Sequence, residues 1–142
     1  MKNLKVFGIL PLLFAMMVGC SGQMEGVVRR DANRIAIAYS DSRLASAELM
    51  TVLADGEQFR GKSARLDRTQ EVMKAASTPS YDNTGNFEAV QGFPGNSKAT
   101  LSGNRGNVIQ CRFKIADTII GFSSGGTGIC QVSDGRVIDV FF

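Results

Sequence analysis

Two Asp-Gly pairs constrain the fold of this chain most. Asp55-Gly56 follows the apolar stretch 44–53, and Asp134-Gly135 follows the short apolar run 129–132. Aspartate and glycine both accept positive φ, which the tight turn of a two-residue β-hairpin requires. Each pair therefore predicts a turn between two antiparallel strands.

Strict alternation supports the same interpretation elsewhere in the chain. In residues 109–115 an apolar face of Ile109, Cys111, Phe113 and Ile115 alternates with Gln110, Arg112 and Lys114. Residues 35–39 show larger side chains at every second position. A period of two is typical of a strand with one buried face, so both segments are predicted to be half-buried antiparallel strands.

Residues 44–53 are ambiguous, because Ala45, Ala47, Glu48, Leu49 and Met50 also suit a helix. Alternation within the segment and the Asp-Gly pair after it favour a strand that returns through residues 57–66. Gly61 inside the returning strand predicts a β-bulge. Residues 69–76 have weak helical character, and residues 67–92 as a whole are predicted to form a long mobile loop.

Together these patterns predict one all-β domain over residues 24–142. We expect a small antiparallel sandwich or barrel of about seven or eight strands with hairpin connections.

The first nineteen residues have the organisation of a cleaved signal peptide. Lys2 and Lys5 form a short positive region, and residues 6–18 follow without a charge. That apolar run is too short to span a bilayer as a helix. Residues 1–19 are therefore predicted to be removed on export.

The residues that end this segment, Met17 to Cys20, resemble the lipobox of bacterial lipoproteins, in which small residues precede a cysteine. Met17 stands where the family usually has leucine. The resemblance implies a diacylglycerol on the Cys20 thiol, cleavage just before Cys20 and, usually, acylation of the new amino group. Several acyl chains would hold the protein stably, with residues 20–23 as the lipidated cysteine and a short tether. The alternative is an ordinary secretory signal followed by a chance cysteine.

The residue after the lipobox bears on the destination. In enterobacteria-like lipoproteins, Asp at that position favours the inner membrane, and here it is Ser21. The resemblance thus implies a lipid-anchored protein of the cell envelope, in the outer membrane and facing the periplasm. The mature part also resembles small β-rich envelope proteins of Gram-negative bacteria, a resemblance that names no activity.

Charge and cysteine content limit the partners further. Of 16 basic residues two lie in the signal peptide, and with 13 acidic residues the mature part has a net charge of +1. No electrostatic case for nucleic acid follows from that value. With Cys20 lipidated, Cys111 and Cys130 remain as an even pair in an oxidising compartment. They are predicted to form a disulfide, the alternative being two separate buried thiols.

Few residues suggest catalysis. The chain has no histidine, which excludes Ser-His-Asp chemistry and the commonest zinc ligand. The glycine-rich loop 121–128 lacks the lysine of a phosphate-binding loop, and no metal or other cofactor is expected. The acids available for a hydrolase are Glu57, Asp117, Asp134 and Asp139, and no pair among them has an evident acid/base arrangement.

Two segments are candidate contact surfaces. The apolar C-terminus Val140-Phe141-Phe142 is expected either to pack in the core or to form a partner surface. Arg29, Arg30 and Arg34 lie close in sequence to the anchor, so they either meet anionic head groups or are solvated strand residues. The function that fits is a non-enzymatic envelope lipoprotein that binds or scaffolds a protein or cell-wall partner. The alternative is a carboxylate-dependent hydrolase of cell-wall or lipid material.

Overall fold

A computed structural model describes residues 21–42, 46–66 and 87–142. These residues contain eight β-strands, one short α-helix and one 3₁₀ turn. The strands are β1 (Ser21–Val28), β2 (Arg34–Ser42), β3 (Ser46–Val52), β4 (Gln58–Arg65), β5 (Ser97–Gly103), β6 (Val108–Ile115), β7 (Gly126–Val132) and β8 (Val137–Phe141). The helix α1 is Glu88–Gln91, and the 3₁₀ turn is Phe122–Ser124.

Every strand pairs antiparallel with the next one along the chain, and β8 pairs with β1, so the sheet closes into a barrel. The predicted all-β fold is confirmed, and of the two predicted architectures the barrel is the one formed. Both Asp-Gly pairs lie in turns, and Gly56 and Gly135 have φ of 86° and 99°. The hairpins form where these pairs predicted them.

The barrel has two different ends. At the turn end, short connections at residues 29–33, 53–57, 104–107 and 133–136 join the strands. At the loop end, β1 begins with Ser21, residues 66–96 join β4 to β5, and residues 116–125 join β6 to β7. Phe142 also lies at the loop end, where it exchanges two backbone hydrogen bonds with Gly126.

The barrel interior is a packed apolar core. Because side chains alternate along each strand, one face of every strand points inward, and most of these residues are almost fully buried. A cavity lined by core residues such as Leu49, Leu101 and Cys111 measures about 10 Å³, and one at the turn end measures about 20 Å³; each is the size of a single water molecule. This agrees with the narrow interior expected of eight strands. The core residues include Met24, Ile37, Leu49, Phe59, Leu101, Ile109, Phe113, Phe122, Val132, Ile138 and Val140.

Helix α1 covers part of the outer wall. It packs on β6 and β7, and the amide of Ala89 donates to Oε1 of Gln131 at 3.3 Å. Ile129 faces outward by alternation, yet it is buried, as is Val90 of the helix. Most of the predicted mobile loop lies outside the described residues, since residues 67–86 are not described. The predicted helix at 69–76 lies outside them too. Helix α1 occupies residues 88–91 of the part of this loop that is described.

Two details differ from the sequence-based expectations. Residues 21–23, expected in a tether, belong to β1 and pair with β2. Gly61 lies in unbroken register with Leu49 and Leu101, so it forms no bulge. A Cβ on Gly61 would collide with the carbonyl oxygen of Thr100. Glycine is present there because two backbones approach closely.

Candidate functional site

Cys111 and Cys130 face each other across β6 and β7, and they form a disulfide. Both side chains point into the core and are almost fully buried. The Cα atoms are 4.1 Å apart, close to the spacing of a non-hydrogen-bonded antiparallel pair. The bond closes the segment that contains loop 116–125, so it holds the two strands that carry this loop.

Cys20, the predicted lipidation residue, lies outside the described residues. The residue after it, Ser21, is the first residue of β1 and pairs with Ser40 of β2. The barrel wall therefore begins one residue after Cys20. A lipid on Cys20 would attach to the loop end of the barrel without an intervening tether.

Of the three C-terminal residues predicted as a core segment or partner surface, Val140 belongs to the core and Phe142 packs against it. Val140 is completely buried, and the ring of Phe142 lies 5.1 Å from that of Phe122 and 6.0 Å from that of Phe113. Phe141 alone faces outward, with half of its surface exposed. Alternation thus places Val140 inside the barrel, and Phe142 packs against the core while staying partly exposed.

Glu57 is the most buried of the four candidate acids, with 1% of its surface exposed. Its Oε1 accepts from the amides of Arg105 and Asn107, and its Oε2 accepts from Nδ2 of Asn107 at 2.8 Å. The side-chain hydrogen bond from Asn107 is the main cause that lowers the pKa of Glu57. This carboxylate joins two turns of the turn end, and both of its oxygens accept structural hydrogen bonds.

The other three acids also have structural partners, and they lie apart. Asp134 pairs with Arg136 at the turn end, and Asp139 pairs with Arg29 on the outer wall at 3.0 Å. Asp117 lies at the loop end, where its Oδ1 accepts from two backbone amides of its own loop. The structure does not bring these acids together into one cleft.

The three arginines near the anchor in sequence lie far from it in space. Arg29 and Arg30 belong to the first connection of the turn end, and Arg34 opens β2 there. An eight-residue strand spans roughly 25 Å, so β1 separates them from Ser21. Arg29 pairs with Asp139, and Arg34 lies 3.3 Å from Glu25. The solvated-strand interpretation therefore fits these residues.

A shallow groove on the outer wall was not predicted from the sequence. It has a volume of about 750 Å³ and crosses β2 to β5. Ala36, Ala38, Met50 and Val52 contribute its apolar surface. Arg60 borders it, with Nη2 3.5 Å from Sδ of Met50. We call this surface the outer groove.

The outer groove follows from the register of the strands. Ala38 pairs with Met50, Met50 with Arg60, and Arg60 with Ser102, so one row of outward side chains crosses four strands. Small side chains at both ends of the row leave room beside the longer ones. Met50 and Val52 stay 43% and 53% exposed. The available signal was that the outward positions Ala36, Ala38, Met50 and Val52 are apolar, although outward positions of a half-buried strand are usually polar.

Two further observations concern the described residues. Within residues 21–42, 46–66 and 87–142, no group of three or more Cys, Asp or Glu side chains could hold a metal ion. In the same ranges, no helix has the length and apolar character needed to cross a membrane.

Comparisons with protein-family models, with curated proteins and with solved structures find no match to this chain. Function must therefore be argued from the geometry of the barrel.

Proposed function

We propose that this protein is a lipid-anchored envelope lipoprotein that binds or scaffolds a partner without catalysing a reaction. Lipid on Cys20 would hold the barrel in the outer membrane, facing the periplasm. Its partner would be an envelope protein or cell-wall component that meets the outer groove. The anchoring part of the proposal rests on the lipobox-like residues before Ser21.

The composition of the outer groove carries the binding part of the proposal. Among the residues that the structure describes, no aspartate or glutamate lines this groove, whose surface is mainly apolar. A carboxylate hydrolase needs acids that converge in a concave site, whereas a binding surface needs exposed apolar area with a polar rim. Gln58, Ser102 and Asn104 supply such a rim. The outer groove has the composition of a contact surface.

The geometry gives the alternative, a carboxylate-dependent hydrolase, less support. Its four candidate acids are divided between the turn end, the loop end and the outer wall, and each already binds a cation or backbone amides. If wild-type protein degrades wall or lipid material and Asp117→Asn or Asp139→Asn removes that activity in a folded variant, the hydrolase is correct.

Anchoring is tested with Cys20→Ser in the full chain. We expect the variant to leave the membrane fraction and to migrate differently from wild type, because neither lipidation nor cleavage before residue 20 can occur. A variant that fractionates and migrates like wild type would contradict the lipoprotein proposal.

Partner binding is tested with a photo-crosslinking amino acid at position 50 in intact envelopes. We expect a discrete crosslinked product from this position, and none from the control position 100, an exposed threonine on the outer face of β5. Substituting Val52 with lysine should weaken the product, because a charge would be placed in the apolar surface. Equal crosslinking from both positions would contradict the assignment of the groove.

A further inference from the structure

The loop between β6 and β7 presents two isoleucines to solvent. Ile119 is 88% exposed and Ile120 is 57% exposed, the highest values among the large apolar side chains of the described residues. They are adjacent in sequence and lie in a turn that leaves the loop end of the barrel. Exposed apolar side chains that are neighbours favour a contact partner more than single ones do.

The loop that carries these isoleucines is firmly held. Oδ1 of Asp117 accepts from the amides of Ile119 and Ile120 at 2.9 and 3.3 Å. Oγ of Ser124 accepts from the Asp117 amide at 2.9 Å, which closes the base of the loop. Phe122, only 2% exposed, places its ring in the aromatic cluster beneath. The exposure of the isoleucines is thus maintained by the structure of the loop.

The same loop lies beside the start of β1. Ser21 pairs with Ser40 of β2, and the next residue, Asp41, accepts hydrogen bonds from the amides of Phe122 and Ser123 at 3.1 and 3.3 Å. Paired strands lie about 5 Å apart. The loop is therefore only one strand away from the residue that follows Cys20.

Three exposed cations lie at this end of the barrel, on the adjacent strands β4, β5 and β6, and the acids Asp41 and Asp117 lie there too. Arg65 ends β4, Lys98 is the second residue of β5, and Lys114 is the last but one of β6; all three are exposed. Apolar side chains next to basic ones are the combination that binds the interface of an anionic bilayer. The turn end has no comparable apolar pair among the described residues.

We propose that Ile119 and Ile120 insert into the bilayer that carries the lipid of Cys20, as a second contact between barrel and membrane. This inference rests on the proposed lipid anchoring. Two contacts would fix the orientation of the barrel, with the loop end on the membrane and the turn end away from it. The outer groove, whose lining includes Val52, Gln58 and Asn104 at or next to the turn end, would then lie away from the bilayer, open to a partner in the periplasm.

The test uses the mature lipidated protein, made from the full chain in a Gram-negative host and reconstituted into phosphatidylethanolamine–phosphatidylglycerol vesicles. A fluorophore sensitive to polarity is attached at Ser123→Cys, a nearly isosteric change in the loop. The matched reporter is Arg30→Cys at the turn end. Quenching by nitroxide-labelled lipid and by aqueous iodide is measured for each protein.

We expect the reporter at position 123 to be quenched by lipid nitroxide and protected from iodide, with the opposite behaviour at position 30. The double variant Ile119→Ser/Ile120→Ser is made in the Ser123→Cys background. It should still sediment with vesicles, because the acyl chains suffice for anchoring. Its reporter at position 123, however, should become accessible to iodide. Ile119→Leu/Ile120→Leu should behave like the parent, since leucine keeps the apolar area.

The outcomes separate the two proposals. An iodide-accessible reporter at position 123 in protein that sediments with vesicles overturns the membrane contact and leaves anchoring intact. Protection that occurs only in intact envelopes, and not in pure lipid, also overturns it and indicates a protein partner for the isoleucines. Protein that does not sediment with vesicles overturns the anchoring proposal and this inference together.

Discussion

The two ends of the barrel are stabilised by different kinds of interaction. At the turn end, polar side chains connect neighbouring turns: Glu57 binds the turn of Asn107, and Oγ of Ser133 donates to Oδ1 of Asn107 at 2.9 Å. At the loop end, an aromatic cluster lies beneath the β6–β7 loop, with the ring of Phe122 4.9 Å from that of Phe113 and 5.7 Å from that of Tyr39.

The difference follows from the length of the connections. A turn of four or five residues keeps its Asp, Asn and Glu side chains close to the neighbouring backbone, so hydrogen bonds can join the turns. The longer loop 116–125 needs a buried anchor such as Phe122, and its tip is then available for contacts outside the barrel. We therefore expect core packing to dominate stability at the loop end and pH-sensitive hydrogen bonds to contribute at the turn end.

The largest loss of stability is expected from Phe122→Ala. The ring is almost fully buried and meets three other rings, so its removal leaves a cavity and should cost about 3–5 kcal/mol. Phe141→Ala, at a half-exposed position, should cost less than about 1 kcal/mol. Urea unfolding monitored by circular dichroism measures both. Equal costs would show that the aromatic cluster does not stabilise the loop end.

A somewhat smaller loss is expected when the disulfide is removed. Cys111 and Cys130 are separated by 19 positions, and a closed segment of this size stabilises by about 3 kcal/mol on chain-entropy grounds. Cys111→Ala/Cys130→Ala should therefore unfold at lower urea concentration than the oxidised wild type. Non-reducing mass spectrometry first verifies the bond. Two freely alkylated thiols in the native oxidised protein would contradict the pairing.

The turn end should respond to pH through Glu57. Hydrogen bonds lower the pKa of Glu57 in the folded protein, and the side-chain hydrogen bond from Asn107 contributes most. The pKa of Asp55 is also lowered, mainly because its carboxylate accepts a hydrogen bond from the amide of Glu57. An unfolded glutamate has a pKa of about 4.3. The stabilisation is thus complete above that pH and is lost as pH falls through the lowered folded value.

Glu57→Gln should therefore flatten the decline of the unfolding free energy below about pH 5, compared with wild type. Asn107→Ala should flatten it too, since it removes the strongest donor to Glu57 and leaves the carboxylate in place. The measurement is urea unfolding at a series of pH values between neutral and acidic. A decline as steep in both variants as in wild type would contradict the role of Glu57.

Local patterns in the sequence predicted most of the barrel wall, and long-range contacts account for what they did not predict. Alternation in residues 109–115 and the Asp-Gly pairs indicate strands and turns. Closure depends on pairing between β1 and β8, which lie more than a hundred residues apart. A sandwich and a barrel share the same local pattern, so the sequence left both open.

The remaining differences have the same origin. Ser21, Gly22 and Gln23 lack apolar alternation, so they resembled a tether, and only pairing with β2 makes them a strand. The outer groove depends on the cross-strand register of Ala38 and Met50, which no single segment reveals. The disulfide was predictable because one cysteine was assigned to lipid and the other two formed an even pair.

The smallest effect, and the only expected gain, concerns Ala32 in the first connection of the turn end. It has φ of 53°, and it is the one non-glycine residue of the described ranges with positive φ. A left-handed conformation costs an L-residue with a Cβ about 1–2 kcal/mol, while glycine adds about 0.4–1 kcal/mol of unfolded-chain entropy. Ala32→Gly should therefore stabilise the protein by roughly 0.5 kcal/mol. Arg30→Gly, two residues earlier and without positive φ, offers no strain to relieve and should destabilise by a similar amount. The urea midpoints of unfolding of both variants are compared with that of wild type. If both glycine substitutions lower the midpoint, the turn at Ala32 is not strained.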